Sequence, residues 1–114
     1  MRYALLIYSK PIALDSAALG AIGAEYMAFS QAIADSGEMA GGDPFEGVDA
    51  ATSVRVRDGH VTTTPGPFAT TEEALTGYYL VDVKDLGRAV ELAARIPDAR
   101  TGVVEVRPIG SIPS

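Results

Sequence analysis

The chain contains no cysteine, one histidine and no long apolar run in its 114 residues, and its net charge is −6. The lack of cysteine excludes disulfides, thiol nucleophiles and thiolate metal sites. Excess negative charge opposes binding to nucleic-acid phosphates. The apolar run at residues 2–8 is too short for a membrane span and has neither a basic lead nor a small-residue cleavage site. We therefore expect a cytoplasmic protein with neither a nucleic-acid nor a membrane partner.

The composition is that of a folded domain. Apolar residues make up 47% of the chain and charged residues 21%, which is typical of soluble globular proteins. A chain of this length can build one core, and it is small enough to gain stability from oligomerisation. We therefore expect a single domain over residues 1–114.

The first helix is indicated by apolar residues at spacings of three and four. Asp15 and Ser16 can cap its start, and Gly37 ends the run. Gly20 and Gly23 weaken the first turns, so the firm helix is expected to begin near Ile22. The predicted apolar stripe consists of Leu19, Ile22, Tyr26, Phe29 and Ile33.

The remaining segments alternate between strand and helix patterns. The Asp58-Gly59 pair lies between two β-branched arms, which is a strong hairpin signal. Residues 37–49 are rich in turn formers and predict a connecting loop with a brief extended piece. The predicted elements are a strand at 2–8, a helix from Asp15 to Gly37, a hairpin at 52–64, a strand at 76–83, a helix from Asp85 to Ile96 and a strand at 102–109.

This order predicts an α+β fold of the ferredoxin-like split βαβ type, with an antiparallel sheet and an extra β-hairpin. Two helices cover only one face of such a sheet. Residues 2–8 are nevertheless apolar on both faces, and the strand at 76–83 is nearly so. Because an exposed apolar face of that size would associate, we expect a homodimer that packs sheet against sheet.

Motifs for metal and phosphate chemistry are weak. His60 follows the hairpin turn, where a histidine is more often solvated than a member of a triad or a metal site. The run "GAIGAE" lacks the preceding strand and the lysine that a phosphate loop requires. We therefore predict neither a metal nor a cofactor.

Several residues are candidates for a site, each with a structural alternative. Arg55 and Arg57 share one strand face, which is either solvated or a basic patch for an anionic small molecule. Asp82 interrupts an apolar strand; it is either a semi-buried base with a raised pKa or a strand-end residue that reaches a backbone donor or an arginine. Tyr8, Tyr78 and Tyr79 could line a pocket with their hydroxyls or pack in the core.

The stretch "PGPF" is either a turn or the lip of a site. Pro65 and Pro67 limit the backbone, and Gly66 permits an unusual φ. Phe68 is expected to anchor the loop in the core. We therefore expect Pro65, Gly66 and Pro67 to shape a cleft.

Five segments match a known pattern in register over essentially the whole chain: "RYALLIY", "EYMAF", "TSVRVRDGHVTTTPGPFATTEEALTGYYLVDVKDL", "AVELAARIPDA" and "GVVEVRPI". Together they resemble the YCII-related proteins, specifically the subgroup named for a DGPF motif. The resemblance implies a ferredoxin-like subunit that forms a dimeric α/β barrel. Related barrels include small-molecule enzymes that use no metal. The subgroup has no settled activity, but its members are often encoded near extracytoplasmic-function-type sigma factors, which implies a regulatory or stress setting.

The chain departs from this family pattern at the position of the acidic residue. The family's Asp-Gly-Pro-Phe reads Pro65-Gly66-Pro67-Phe68 here. In the wider family a helix histidine and a loop aspartate are the suggested catalytic pair, and these positions are Tyr26 and Pro65. Neither residue can transfer a proton near neutral pH, since the pKa of tyrosine is about 10 and proline has no ionisable group. The resemblance therefore implies that the family's pair is lost.

The sequence supports three hypotheses about function. In the first, a homodimer binds a small molecule in its barrel cleft, without established catalysis. In the second, the protein is a cofactor-free isomerase or proton-transfer enzyme with Asp82 or a tyrosine as base. In the third, it is a regulatory protein that associates with a sigma factor or another transcription factor. The predicted ligand-binding residues are Tyr8, Arg55, Phe68 and Tyr79, and the candidate catalytic residue is Asp82.

Overall fold

The computed structural model describes residues 1–10, 15–69 and 72–110. Two short 3-10 turns, Val48–Ala50 and Pro97–Ala99, accompany the regular elements. The strands and helices in chain order are β1 (Arg2–Ser9), α1 (Ser16–Asp35), β2 (Met39–Pro44), β3 (Thr52–Arg57), β4 (His60–Pro65), β5 (Ala74–Asp82), α2 (Leu86–Ala94) and β6 (Val103–Pro108).

Four strands form an antiparallel sheet in the order β2-β5-β1-β6. The two halves, β1-α1-β2 and β5-α2-β6, interleave so that β1 and β5 lie at the centre. This is the split βαβ arrangement, and it confirms the predicted mixed α+β class with an antiparallel sheet. The order agrees with a ferredoxin-like fold.

The core lies between one face of this sheet and the two helices. Alternate residues of β1 point towards the helices because successive side chains of a strand face opposite sides. Phe29 and Ile33 of α1 and Leu92 of α2 complete the packing. The buried residues of the strands are Tyr3, Leu5, Ile7, Tyr79 and Val81.

Helix α1 begins directly after its predicted cap. It starts at Ser16, and the Asp15 carboxylate accepts a hydrogen bond of 2.8 Å from the Ala18 amide, which confirms Asp15 as the cap. The expected start near Ile22 is wrong, because capping and the following turns offset the low helix propensity of the two early glycines. Leu19 is 57% exposed and does not contribute to the core.

Helix α2 has the predicted cap and a shorter end. The Asp85 carboxylate accepts a hydrogen bond of 2.9 Å from the Arg88 amide. The helix ends at Ala94 instead of Ile96, since Pro97 opens a separate 3-10 turn, but Ile96 is fully buried. Neither helix in the described part of the chain is both long and apolar enough to cross a membrane.

Strands β3 and β4 form the predicted hairpin as a separate two-stranded sheet. Asp58 and Gly59 have φ angles of 50° and 76°, which suits a two-residue hairpin turn. The register places Arg55 opposite Thr62 and Val56 opposite Val61, so polar and apolar side chains separate onto two faces. Nearly all side chains of the hairpin are exposed.

Strand β2 was expected only as a brief extended piece within a loop. In the structure it pairs with β5 along the sheet edge. Gly42 fits because the backbones approach closely: a Cβ atom there would lie 2.9 Å from the carbonyl oxygen of Tyr78. The pairing is therefore a tertiary effect that overrides the turn-rich composition of this segment.

The opposite face of the sheet is not buried. Ala4, Leu6 and Tyr8 of β1 lie beside Tyr78 and Leu80 of β5, and all five side chains are partly exposed. The two-sided apolar character predicted for these strands thus leaves an apolar face that neither helix covers.

Candidate functional site

A cavity of about 690 Å³ lies between α1 and the part of the sheet formed by β2 and β5; we call it the helix-side cavity. Its volume falls within the roughly 300–1,000 Å³ of typical small-molecule sites. Most of its lining is apolar, and a few polar groups converge on it. The polar residues that line it include Tyr26, Ser30, Asp43, Thr76, Tyr79 and Asp98.

The Asp98 carboxylate is part of a hydrogen-bonded cluster with hydroxyl groups from three parts of the chain. Its Oδ2 atom accepts hydrogen bonds from Ser9 Oγ at 2.7 Å and from the Tyr26 hydroxyl at 2.9 Å. Thr76 Oγ1 lies 3.0 Å from Ser9 Oγ. Asp98 itself stands on the 3-10 turn after α2, and the Gly102 amide donates to its backbone carbonyl at 2.7 Å. The result is a connected polar cluster at the cavity wall.

The environment of Tyr26 keeps its hydroxyl protonated. Burial raises the pKa of Tyr26 well above its ordinary value, and the hydrogen bond to the Asp98 carboxylate raises it further. The residue that packs on the helix stripe is thus also a hydrogen-bond donor. It is no base near neutral pH, in agreement with the expectation from the sequence.

A second hydroxyl pair fixes the tyrosine of β5. Ser30 Oγ and the Tyr79 hydroxyl are 2.8 Å apart. The Tyr79 ring meets the edge of Phe29 with centroids 5.1 Å apart and planes at 75°, which is a favourable aromatic geometry. Tyr79 therefore faces the cavity, with its ring and hydroxyl both held.

The Asp43 carboxylate at the β2 edge of the cavity is on the other face of the sheet, because Asp43 is paired with Tyr78, whose side chain is on the face that the helices leave uncovered. The Tyr78 hydroxyl donates to Asp43 Oδ2 at 3.0 Å, and this hydrogen bond raises the pKa of Tyr78. The Phe45 ring packs against Tyr78 with centroids 5.6 Å apart. Within the described ranges, no group of three or more metal-ligating side chains could hold a metal ion.

A second cavity, of about 750 Å³, brings together three of the residues predicted from the sequence. Tyr8, Pro67 and Phe68 line it, and Phe45 and Leu75 add apolar surface. Tyr8 and Leu75 are paired on the sheet face opposite the core. Phe68 is 82% exposed, so the expectation that it anchors the loop in the core is wrong: its ring lies at the rim of this cavity.

Hydrogen bonds, and not the Phe68 ring, hold the loop at Pro65, Gly66 and Pro67. Gly66 has a φ of 92°, the unusual backbone angle that the sequence suggested. Its amide donates to the Ala51 carbonyl at 2.7 Å, and Ser53 Oγ donates to its carbonyl at 2.8 Å. Pro65 ends β4 and Pro67 faces the second cavity, so the loop joins the hairpin base to the cavity rim.

Arg55 and Asp82 line neither of these two cavities. Arg55 is exposed on the hairpin. Of the two alternatives for Asp82, the strand-end residue agrees with the structure: Asp82 ends β5, and its side chain is 62% exposed and lies 3.2 Å from the amino group of Met1. It is not a semi-buried carboxylate, and the roles suggested for both residues stay predictions.

The sequence interpretation missed the Asp98 cluster. Ser9 and Tyr26 are 89 and 72 residues away from Asp98, so no local pattern connects them. One signal was present: Tyr26 and Ser30 are four residues apart, which places both on one face of a helix. A serine beside the apolar stripe could have marked that face as a site wall.

Comparison with known proteins agrees with this fold. The profile of the YCII-related domain matches residues 1–112. An uncharacterised protein of Rhizobium meliloti (strain 1021) is 39% identical to the chain over 72 residues. The matched region covers 57% of this chain and 58% of that protein, so the chain spans less than two thirds of the length of this curated relative. By the match over residues 1–112, the chain belongs to the YCII-related family.

Proposed function

We propose that this protein binds a small organic molecule in the helix-side cavity. The observation that carries the proposal is the Asp98 carboxylate, which accepts hydrogen bonds from Ser9 and Tyr26 at the wall of a mainly apolar cavity. Small-molecule sites combine an apolar lining with a few polar groups in fixed positions. Here the apolar lining supplies affinity, and the cluster supplies orientation.

The polar groups of the cavity are held before a ligand arrives. Tyr79 is fixed by Ser30 and Phe29, and Tyr26 is fixed by Asp98. A binding site whose side chains are already ordered loses less conformational entropy when the ligand binds. The ordered side chains favour the interpretation that the cavity is a binding site and not a defect in packing.

The proposal includes assembly as a homodimer of the dimeric α/β-barrel type. The apolar face of Leu6, Tyr78 and Leu80 supports it, since a second sheet would remove that face from water. Membership of the DGPF subgroup belongs to the same proposal and is supported by the Gly66-Pro67-Phe68 match. Association with a sigma factor is a separate hypothesis, and the geometry of the cavity adds nothing to it.

Proton transfer is the second candidate function, and the position of Asp98 suggests a different base from Asp82. A general base must lie within hydrogen-bond reach of the bound substrate. Asp98 lines the helix-side cavity, whereas Asp82 is exposed and ion-paired with the amino terminus. An isomerase or proton-transfer reaction in this cavity would therefore use Asp98 as base.

The binding proposal is tested with a library of small organic fragments of all charge types. Binding is followed by the amide NMR signals of Ser30, Gly42 and Gly77, which line the cavity. Some fragments should shift these three signals together. Ala34 also lines the cavity, so Ala34→Trp should fill it and abolish the shifts.

The matched control is Ala21→Trp, which places the same side chain on an exposed part of α1. It should leave fragment binding intact. The proposal fails if no fragment shifts the three signals in the parent protein, or if the Ala34 variant binds the fragments as the parent does.

A further inference from the structure

We propose that the helix-side cavity prefers a ligand that carries a protonated amine or another small organic cation, and that it discriminates against anions. This inference rests on the proposed function and names the ligand class of the same cavity. It differs from the interpretation of Arg55 as part of an anion site. Arg55 is on the hairpin and does not line the cavity.

The charged side chains of the cavity have one sign. The Asp98 carboxylate lies at its wall, and no lysine, arginine or histidine is present among the described residues of the lining. Asp43 also borders the cavity, but its carboxylate is on the other face of the sheet with the Tyr78 hydroxyl. The whole chain carries a net charge of −6, so the surrounding field has the same sign. An anion would be repelled by the Asp98 carboxylate, whereas a cation would be attracted.

Few hydroxyl donors of the wall are free. The Tyr26 hydroxyl donates to Asp98, and Ser30 and Tyr79 share one hydrogen bond, which leaves a single hydroxyl hydrogen of that pair as a donor. The Gln31 amide nitrogen donates to Asp35 at 2.8 Å. An anionic ligand that needs more than this one donor would have to break a hydrogen bond to a carboxylate, which is among the stronger kinds in proteins.

The acceptor capacity of the wall is only partly used. Both hydroxyls that contact Asp98 go to Oδ2. Its Oδ1 atom accepts no hydrogen bond from the part of the chain that the structure describes. Every buried side-chain oxygen or nitrogen in that part has a hydrogen-bond partner, so Oδ1 is not buried. This oxygen is therefore accessible and can accept a charge-assisted hydrogen bond from an ammonium group.

The rest of the lining suits the organic part of such a ligand. Tyr26 and Tyr79 contribute aromatic rings, and Met27 and Met39 contribute thioethers. The face of an aromatic ring attracts organic cations, and methionine adapts to apolar groups of varied shape. The cavity thus combines a carboxylate acceptor with a soft apolar wall.

Three probes of similar size test the charge preference: phenethylamine, phenethyl alcohol and phenylacetate. Their dissociation constants are measured at neutral pH from the amide NMR shifts of Ser30, Gly42 and Gly77. Phenethylamine should bind about tenfold more tightly than the alcohol, because one charge-assisted hydrogen bond is added. Phenylacetate should bind most weakly.

The variant Asp98→Asn should lower the affinity for phenethylamine to about that for the alcohol, whose own affinity should change little. Asp58→Asn is the matched control, since Asp58 lies in the hairpin turn and asparagine tolerates its positive φ. That variant should leave all three dissociation constants unchanged. If Asp98→Asn does not fold, the ranking of the probes in the parent protein decides the question alone.

Tighter binding of phenylacetate, or equal binding of all three probes in this cavity, would overturn the cation preference and leave the proposed binding function standing. If no probe and no library fragment shifts the cavity signals, the preference and the proposed function fall together.

Discussion

At the scale of single residues, Glu38 is the side chain with the most consequential electrostatic environment. Arg88 Nε donates to its Oε2 at 2.8 Å, and Arg88 Nη2 donates to its Oε1 at 2.9 Å. Ser36 Oγ adds a third hydrogen bond at 2.7 Å. These contacts join the start of β2 to α2. The hydrogen bonds from Arg88 are the main cause that lowers the pKa of Glu38 from 4.5 to about 2.

The pKa of Glu38 predicts an acid-dependent loss of stability. Because the folded state holds Glu38 below its ordinary pKa, its contribution is fully present above pH 4.5 and is lost as the pH falls towards 2. Glu38→Gln should therefore lower the free energy of unfolding at neutral pH and flatten its decline in this window. Urea unfolding measured at several pH values checks both effects.

The control is Glu91→Gln, since Glu91 contacts the same arginine at 3.0 Å from a more exposed position. It should change the pH dependence less than the Glu38 variant does. A Glu38 variant whose stability falls with acid as steeply as that of the parent would show that other carboxylates govern the transition.

At this scale the sequence predicted local roles and missed distant ones. Asp15 and Asp85 were predicted as caps because a cap depends only on the next three residues, and both are confirmed. Asp98 was missed because its partners come from β1 and α1. The two alternatives for Asp82 could not be separated from the sequence, because its exposure depends on where β5 ends and on the nearby amino terminus.

At the scale of elements, Gly102 allows the chain just before β6 to lie close against the backbone of β1. A Cβ atom at Gly102 would lie 2.2 Å from the carbonyl oxygen of Tyr8, and this backbone atom cannot move aside as a side chain can. Gly102→Ala should therefore lower the free energy of unfolding by about 1–3 kcal/mol, as overpacking does. Chemical denaturation of the variant measures this loss.

Gly23→Ala is the control for the same substitution without a clash. Nothing lies within 4 Å of a Cβ atom at Gly23, which is in the middle of α1. Alanine there should raise the stability by about 0.5–1 kcal/mol, because it has the higher helix propensity. A Gly102 variant as stable as the parent would mean that β6 can shift relative to β1 without loss.

The elements were predicted where the periodicity was strong. The hairpin, the central strands and both helices follow from patterns within each segment. Strand β2 was not clearly predicted, since its six residues include two glycines and a proline, and it is ordered by pairing with β5. Edge strands of this kind depend on a neighbour that lies far away in the sequence.

At the scale of the whole molecule, the decisive feature is an apolar sheet face without a cover. Leu6 of β1 lies opposite Tyr78 of β5 and Glu105 of β6, so the apolar centre continues towards a polar edge. Arg107 and Glu105 form an ion pair on that edge. An apolar centre with a polar rim is the composition of a protein interface.

The dimer is therefore the prediction that tests the molecule as a whole. Light scattering after size exclusion should show a dimer at micromolar concentration. Leu6→Glu should shift the protein towards the monomer, because it would place two charges in the buried centre of the interface. Val90→Glu is the matched control, since Val90 is 50% exposed on α2, away from that face, and this variant should remain dimeric.

Each outcome separates the causes of association. A parent protein that is monomeric at micromolar concentration would contradict the dimer. A Leu6 variant that stays dimeric would mean that another surface associates, and the exposed apolar residues of the hairpin, Val54, Val56 and Val61, would be the next to substitute. Loss of the dimer in the Leu6 variant alone, with the circular dichroism spectrum retained, would identify the sheet face as the interface, because the subunit would still fold without its partner.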